Sequence, residues 1–141
     1  MKIIIKKLEL RKIANGDESV LLKRITQIKL NDKNENLEAH ERLCEAIREL
    51  LISNKYCLCS QTYEHILCYS MKLINNYFDN QFLIIKLMKI LTEIPFYKLQ
   101  LQSFSKHQNS LVKLIDFAQK NNKDKEKNNK LKRNINWNLC Y

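Results

Sequence analysis

The stretch Leu37-Glu-Ala-His-Glu-Arg-Leu-Cys-Glu-Ala-Ile-Arg-Glu-Leu-Leu-Ile-Ser53 decides the fold class. Ala39, Leu43, Ala46, Ile47, Leu50 and Leu51 recur at three- and four-residue intervals, which places them on one side of a helix. Glu38, Glu41, Arg42, Glu45, Arg48 and Glu49 fall on the other side and give it a mainly acidic outer face. Glu38 and Arg42 stand at i, i+4 with the acid first, the favourable order for a helical ion pair. Asn36 opens this helix, and the polar run Asn31-Asp-Lys-Asn-Glu-Asn36 separates it from what precedes.

The same periodicity extends in both directions. Asp17 can cap a helix over about 18–30, with Val20, Leu21, Ile25 and Ile28 as its apolar stripe. After a loop around Ser53-Asn-Lys55, Ser60 can cap a helix to about Asn76, its inner side Tyr63, Ile66, Leu67, Ser70, Met71 and Ile74. Asp79 can cap another, running to Ile94. Between Phe82 and Leu91 apolar residues surround its axis, the pattern of a helix at the centre of a bundle. Pro95 ends it, because the residue before a proline is pushed out of the α region. A shorter helix over about 109–119 follows, with Leu111, Val112, Leu114, Ile115 and Ala118 apolar.

Gly16 and Pro95 are the only glycine and proline in 141 residues. Long segments without breakers favour helices, and one glycine cannot supply the phosphate loops, dinucleotide loops or nucleophile elbows that need several. The expected fold is therefore all-α, a compact up-and-down bundle of four to five antiparallel helices with basic, partly disordered ends. Residues 1–16 read as a basic extension, 17–119 as the bundle, and 120–141 as a basic Asn/Lys-rich tail. Trp137 and Leu139 stand out in that tail, as a stretch that folds back or as a short docking motif. A fragment of a helical solenoid is a second architecture that fits successive helices of this kind.

The net charge of +10 is concentrated at the ends. Residues 1–12 hold five basic residues and one acid, and residues 120–141 hold seven basic residues and two acids, so the centre is nearly neutral. This is not the pattern of a domain built around a nucleic-acid face. Lys6, Lys7, Lys130, Lys132 and Arg133 are candidates for weak, non-specific phosphate contact. No apolar run reaches the ~18 to 20 residues of a membrane span, and the basic opening is too short for a secretory signal. The five cysteines read as reduced thiols. Cys57, Cys59, His65 and Cys68 are the metal-like cluster, but Cys-x-Cys is tighter than the usual zinc pair, so packed thiols are expected and no metal or cofactor. His65 and Cys68 share a helix face without an oriented base or oxyanion donors, and no catalytic residue is assigned. His40 and His107, among polar neighbours, read as surface residues.

Residues 22–91 resemble the integrase-binding domain of lens epithelium-derived growth factor and the hepatoma-derived growth factor-related proteins, a bundle related to the TFIIS N-terminal fold. The resemblance runs through Leu22-Lys-Arg-Ile25, Asn34-Glu-Asn-Leu37, Arg42-Leu-Cys-Glu-Ala-Ile-Arg-Glu-Leu50 and Met71-Lys-Leu-Ile-Asn-Asn-Tyr77. It implies that two inter-helix loops form a shallow pocket for short disordered motifs carrying acidic and Phe residues. Glu35 matches the family's acidic position with Asn34 before it, Tyr77 matches its aromatic one, and Phe78 can stand for the apolar neighbour. Asn75 and Asn76 replace basic residues of the family, and its chromatin-reading PWWP domain is absent. A shifted placement over 84–137, using Pro95 and Trp137, resembles the TFIIS or mediator-type domain instead. Either placement implies a non-enzymatic module that docks transcription or chromatin factors in the nucleus. The alternative reading is a small basic RNA- or ribosome-associated helical protein in the cytoplasm.

Overall fold

A stop–start signal at Asn15-Gly16-Asp17 joins the first two helices. The Gly16 N–H donates to the Ile13 carbonyl at 3.0 Å and the Asp17 N–H to the Lys12 carbonyl at 2.9 Å, with Gly16 at φ +110°. This pair of bonds is the Schellman closure of a helix, which needs a residue at positive φ. Asp17 then begins the next helix, its carboxylate accepting from the Val20 N–H at 3.2 Å and the Ser19 hydroxyl at 2.7 Å. These bonds hold the Asp17 carboxyl below its usual pKa, the Ser19 hydroxyl first among them.

The structure, a computed structural model, describes residues 5–28, 36–55, 57–99 and 101–121. It contains α1 (Lys7–Ala14), α2 (Glu18–Gln27), α3 (Leu37–Ser53), α4 (Ser60–Asn76), α5 (Gln81–Glu93) and α6 (Leu101–Asn121), with a 3-10 turn at Phe96–Lys98. There is no strand among the described residues, and the helices pack into one compact all-α body. No described helix is long and apolar enough to cross a membrane.

The helices approach most closely in alternate pairs. α3 lies against α1 and α5, while α4 lies against α2 and α6; α1 with α2, and α4 with α5, join the two sets. The body is thus two rows of three helices, with a shared core between them. In a simple up-and-down bundle consecutive helices would be the closest neighbours, whereas here the most closely packed pairs are mainly alternate ones.

Several local expectations change. Residues 7–14 are a helix of the core, not part of an extension: Ile13 is fully buried and Ile5 is 8% exposed. The charges that mark this stretch as a tail lie on its outer face, and burial of Ile5, Leu10 and Ile13 decides its fate. Among the described residues there are therefore six α-helices, against the four to five expected. Cys59, not Ser60, is the N-cap of α4, and Glu18 of α2 supplies the missing acceptor. Its Oε1 takes the Cys59 N–H at 3.0 Å and the Thr62 hydroxyl at 2.6 Å, a carboxylate at the positive end of a helix. Asn80, not Asp79, caps α5 by accepting from the Leu83 N–H at 3.0 Å. α6 is about twice as long as expected, since neither glycine nor proline occurs between Leu101 and Asn121.

The most enclosed helix is α4, not α5. Thr62, Tyr63, Ile66, Leu67, Tyr69, Ser70, Met71, Leu73 and Ile74 are all buried, because α4 has neighbours on three sides. α5 buries Leu83, Ile84, Leu87, Ile90 and Leu91, but leaves Phe82 78% and Ile85 36% exposed.

The turn gives a direct test. A methyl group on Gly16 would meet only the Asn54 side chain, at an ordinary 3.5 Å. Gly16→Ala is therefore opposed by backbone conformation alone and should lower stability by ~1 to 2 kcal/mol in urea titration. A neutral result would mean that the α1–α2 turn is not closed through positive φ.

Candidate functional site at one end of the helical rows

Tyr77, the last residue before the α4–α5 turn, packs against His40 in the first turn of α3. The two rings are 5.6 Å apart and tilted by 56°. His40 Nδ1 is also 2.8 Å from the Tyr69 hydroxyl, a buried bond. These contacts bring the start of α3 to the C-terminal end of α4. Asn36, where α3 begins, and the α4–α5 turn therefore lie at one end of the molecule.

Tyr77 is 4% exposed, so its ring is part of the core and is not presented to a partner. Phe78 is 40% exposed and rests edge-on against Phe117 of α6, at 6.4 Å and 70°. Phe82 follows in the first turn of α5, with Ile85 one turn further on the same side. The exposed apolar surface at this end is thus Phe78, Phe82 and Ile85, with Asp79 exposed between the two phenylalanines. Asn34 and Glu35 lie outside the described residues, as do Lys130, Lys132 and Arg133.

Phe82 and Ile85 were not separable from the core by pattern. Apolar residues around a whole helix fit a central helix as well as one that buries one side and exposes the other. His40 departs from its sequence pattern in the opposite direction. It is 1% exposed although Glu38, Glu41 and Arg42 surround it in sequence, because it falls on the inner side next to Leu43 and Cys44.

Burial pushes the His40 pKa down to about 4 from the usual 6.5. One ring nitrogen is engaged by Tyr69, and the other, Nε2, has no hydrogen-bond partner among the described residues. A second proton would thus place an unpaired N–H and a charge in the core. Burial likewise raises the Tyr69 hydroxyl and the Cys44 thiol, so both stay neutral.

The thiol and imidazole groups elsewhere are dispersed. Cys57 and Cys59 are exposed, and His65 Nδ1 is 2.8 Å from the Gln61 carbonyl, its own preceding turn. Cys68 Sγ pairs with His107 Nε2 of α6 at 3.4 Å rather than with His65. His107 is therefore a contact between α4 and α6, and desolvation, Lys106 and Lys72 lower its pKa. No group of three or more His, Cys, Asp or Glu residues among those described is placed to hold a metal ion. A cleft beside α1 and α2 is lined by Glu9, Val20, Lys23, Arg24 and Gln27, and its Glu9 and Arg24 already pair with each other.

Comparison with protein-family models, curated proteins and solved structures finds no match to this chain. The class defined by the fold is a small all-α domain of two helical rows with an aromatic end.

The buried imidazole predicts an acid-sensitive fold. The folded state keeps His40 neutral, while the unfolded chain takes up a proton as pH falls below about 6.5. Stability from this residue is present at neutral pH and lost as pH drops toward 4, a difference of about 2 to 3 kcal/mol. Urea midpoints at pH 7 and pH 4.5 should diverge in the wild type and diverge less in His40→Gln. Equal divergence would place the acid sensitivity elsewhere.

Proposed function

We propose that this protein is a non-catalytic interaction module that docks short disordered segments with an aromatic anchor at the end where α3 begins and α4 turns into α5. The observation that carries the reading is the exposure of Phe78 and Phe82 at the end where His40 and Tyr77 join α3 to α4. Large apolar side chains left in water beside a fully formed core are a hallmark of interaction surfaces. The resemblance over residues 22–91 supports the same end, since it assigns partner contact to Glu35 and Asn34 in one connection and to Tyr77 and Phe78 in the other. In this reading Phe78 and Phe82 provide the apolar contact, with Tyr77 beneath them as support. Glu35 accepts hydrogen bonds from the partner backbone. Transcription or chromatin proteins in the nucleus are the partners that the resemblance implies.

Panning a random peptide library against the intact chain tests this. Selected peptides should carry Phe or Trp and bind at least ten-fold more weakly to Phe78→Ser and Phe82→Ser, as for truncated anchor residues. Glu35→Ala should cost ~1 to 3 kcal/mol of affinity through a lost charge-assisted hydrogen bond. Peptides that bind all three variants as tightly as the wild type would contradict the proposal.

One observation favours the basic reading as a second possibility. Lys6, Lys7, Arg11 and Lys12 are exposed on α1, whereas Glu9, the acid among them, is turned to Arg24, with Arg24 Nε 2.9 Å from its carboxylate. The exposed charges at α1 are therefore all cationic, with Leu8 exposed among them. Trimming residues 1–12 would remove a core helix, so charge replacement is the correct probe. Substituting these four by Gln should weaken any nucleic-acid retention and flatten its salt dependence, without affecting peptide binding at the aromatic end.

A further inference from the structure

Cys68 and His107 meet where α6 lies along α4, with Cys68 Sγ 3.4 Å from His107 Nε2. An imidazole nitrogen therefore stands within proton-transfer reach of the thiol, and both side chains are half-buried. The register of the two helices is held by further contacts: the Ser110 hydroxyl donates to Asn75 Oδ1 at 3.1 Å, and Phe117 packs on Phe78. Lys72, one turn after Cys68 on α4, and Lys106, next to His107 on α6, are both exposed. Desolvation first, then Lys106 and Lys72, hold the His107 pKa below its usual value, so the imidazole is neutral at pH 7 and able to take a proton. Glu64, one turn before Cys68, is half-buried and has an interaction of its own. The other described thiols differ. Cys44 is buried, and burial raises its pKa, whereas Cys57 and Cys59 are exposed with no thiol hydrogen bond to a described residue.

We propose that Cys68 is a thiol–disulfide exchange site, with His107 as the base that takes its proton and a small disulfide bearing carboxylates as its reaction partner. A thiol attacks only as its thiolate, and a base in contact with the sulfur supplies that form at the moment of reaction. The Cys68 proton passes to His107 Nε2, and the sulfur attacks one sulfur of the small disulfide. A new S–S bond forms to Cys68 as the S–S bond of the small disulfide breaks. The departing thiolate takes the proton from His107 and leaves as a free thiol. Cys68 is thereby oxidised and the released half is reduced, so no further oxidant enters the step.

Charge selects the partner. Lys72 and Lys106 are the complement of carboxylates on the approaching disulfide and attract it ahead of a cationic one. Position selects the consequence. The adduct replaces the thiol that contacts His107, so the modification acts on the packing of α6 against α4.

The experiment treats the intact, reduced chain with glutathione disulfide, which is anionic, or cystamine, which is cationic, at neutral pH and low salt. Peptide mass mapping reads the initial rate of adduct formation at each cysteine. Access alone puts the exposed Cys57 and Cys59 ahead of the half-buried Cys68. The expected order with glutathione disulfide is the reverse, with Cys68 ahead of both. His107→Gln, with its helical circular dichroism verified, should slow Cys68 by about ten-fold or more and leave Cys57 and Cys59 unchanged. Loosening of α6 by that substitution would instead open the thiol and speed its reaction, so the direction of the change separates a base from a packing residue. Lys72→Gln, at an exposed position, should reduce the preference of Cys68 for glutathione disulfide over cystamine several-fold, as should added salt. Cys68 reacting no faster than Cys57 and Cys59 in the wild type would overturn the proposal. So would a His107→Gln variant that modifies Cys68 as fast as the wild type or faster, and equal rates with the two reagents would overturn the choice of an anionic disulfide.

Discussion

The buried contact of His40 with Tyr69 and Tyr77 fixes the end of the molecule on which the functional reading depends. It connects the first turn of α3 to the last turns of α4, helices that belong to different rows. With Tyr77 turned inward, the next residue, Phe78, is turned outward onto Phe117, and the α4–α5 turn carries Phe82 into water. Core and surface are therefore set by adjacent residues on one turn. The imidazole must remain neutral for this to hold, so integrity of the end is linked to pH.

The remaining organisation follows from a few polar groups placed where helices begin and stop. The one glycine is used to close α1, and Asp17 immediately opens α2. Glu18 then reaches from α2 to the start of α4, tying the two helices together through the Cys59 N–H and the Thr62 hydroxyl. Exposed ion pairs contribute less. Glu38 with Arg42 on α3, and Glu45 with Lys86 between α3 and α5, lie at the surface, where such pairs are worth a few tenths to one kcal/mol.

The helices of residues 37–53 and 60–76 were legible in sequence because their apolar stripes are unambiguous and their ends are polar. α1 was not, because five basic residues in twelve obscure a stripe of only Ile5, Leu10 and Ile13. The caps at Cys59 and Asn80 illustrate another limit: a Ser or Asp one residue away has the right chemistry, and only tertiary contacts choose between neighbours. For the candidate site, Phe78 was identified through the resemblance, whereas Phe82 and Ile85 were hidden within an apolar helix. Their exposure depends on how α5 is seated against α3 and α4, which no pattern within α5 records. The pairing of Cys68 with His107 joins residues 39 apart in sequence and has no local signature.

The most direct test of this account is a nuclear Overhauser experiment on the intact protein at neutral pH with aromatic side chains labelled. The account predicts cross-peaks from the His40 ring to the rings of Tyr69 and Tyr77, together with a cross-peak between Phe78 and Phe117. A His40 ring without contacts to either tyrosine, or a Tyr77 ring in rapid exchange with solvent-exposed environments, would contradict the arrangement from which the aromatic end is derived.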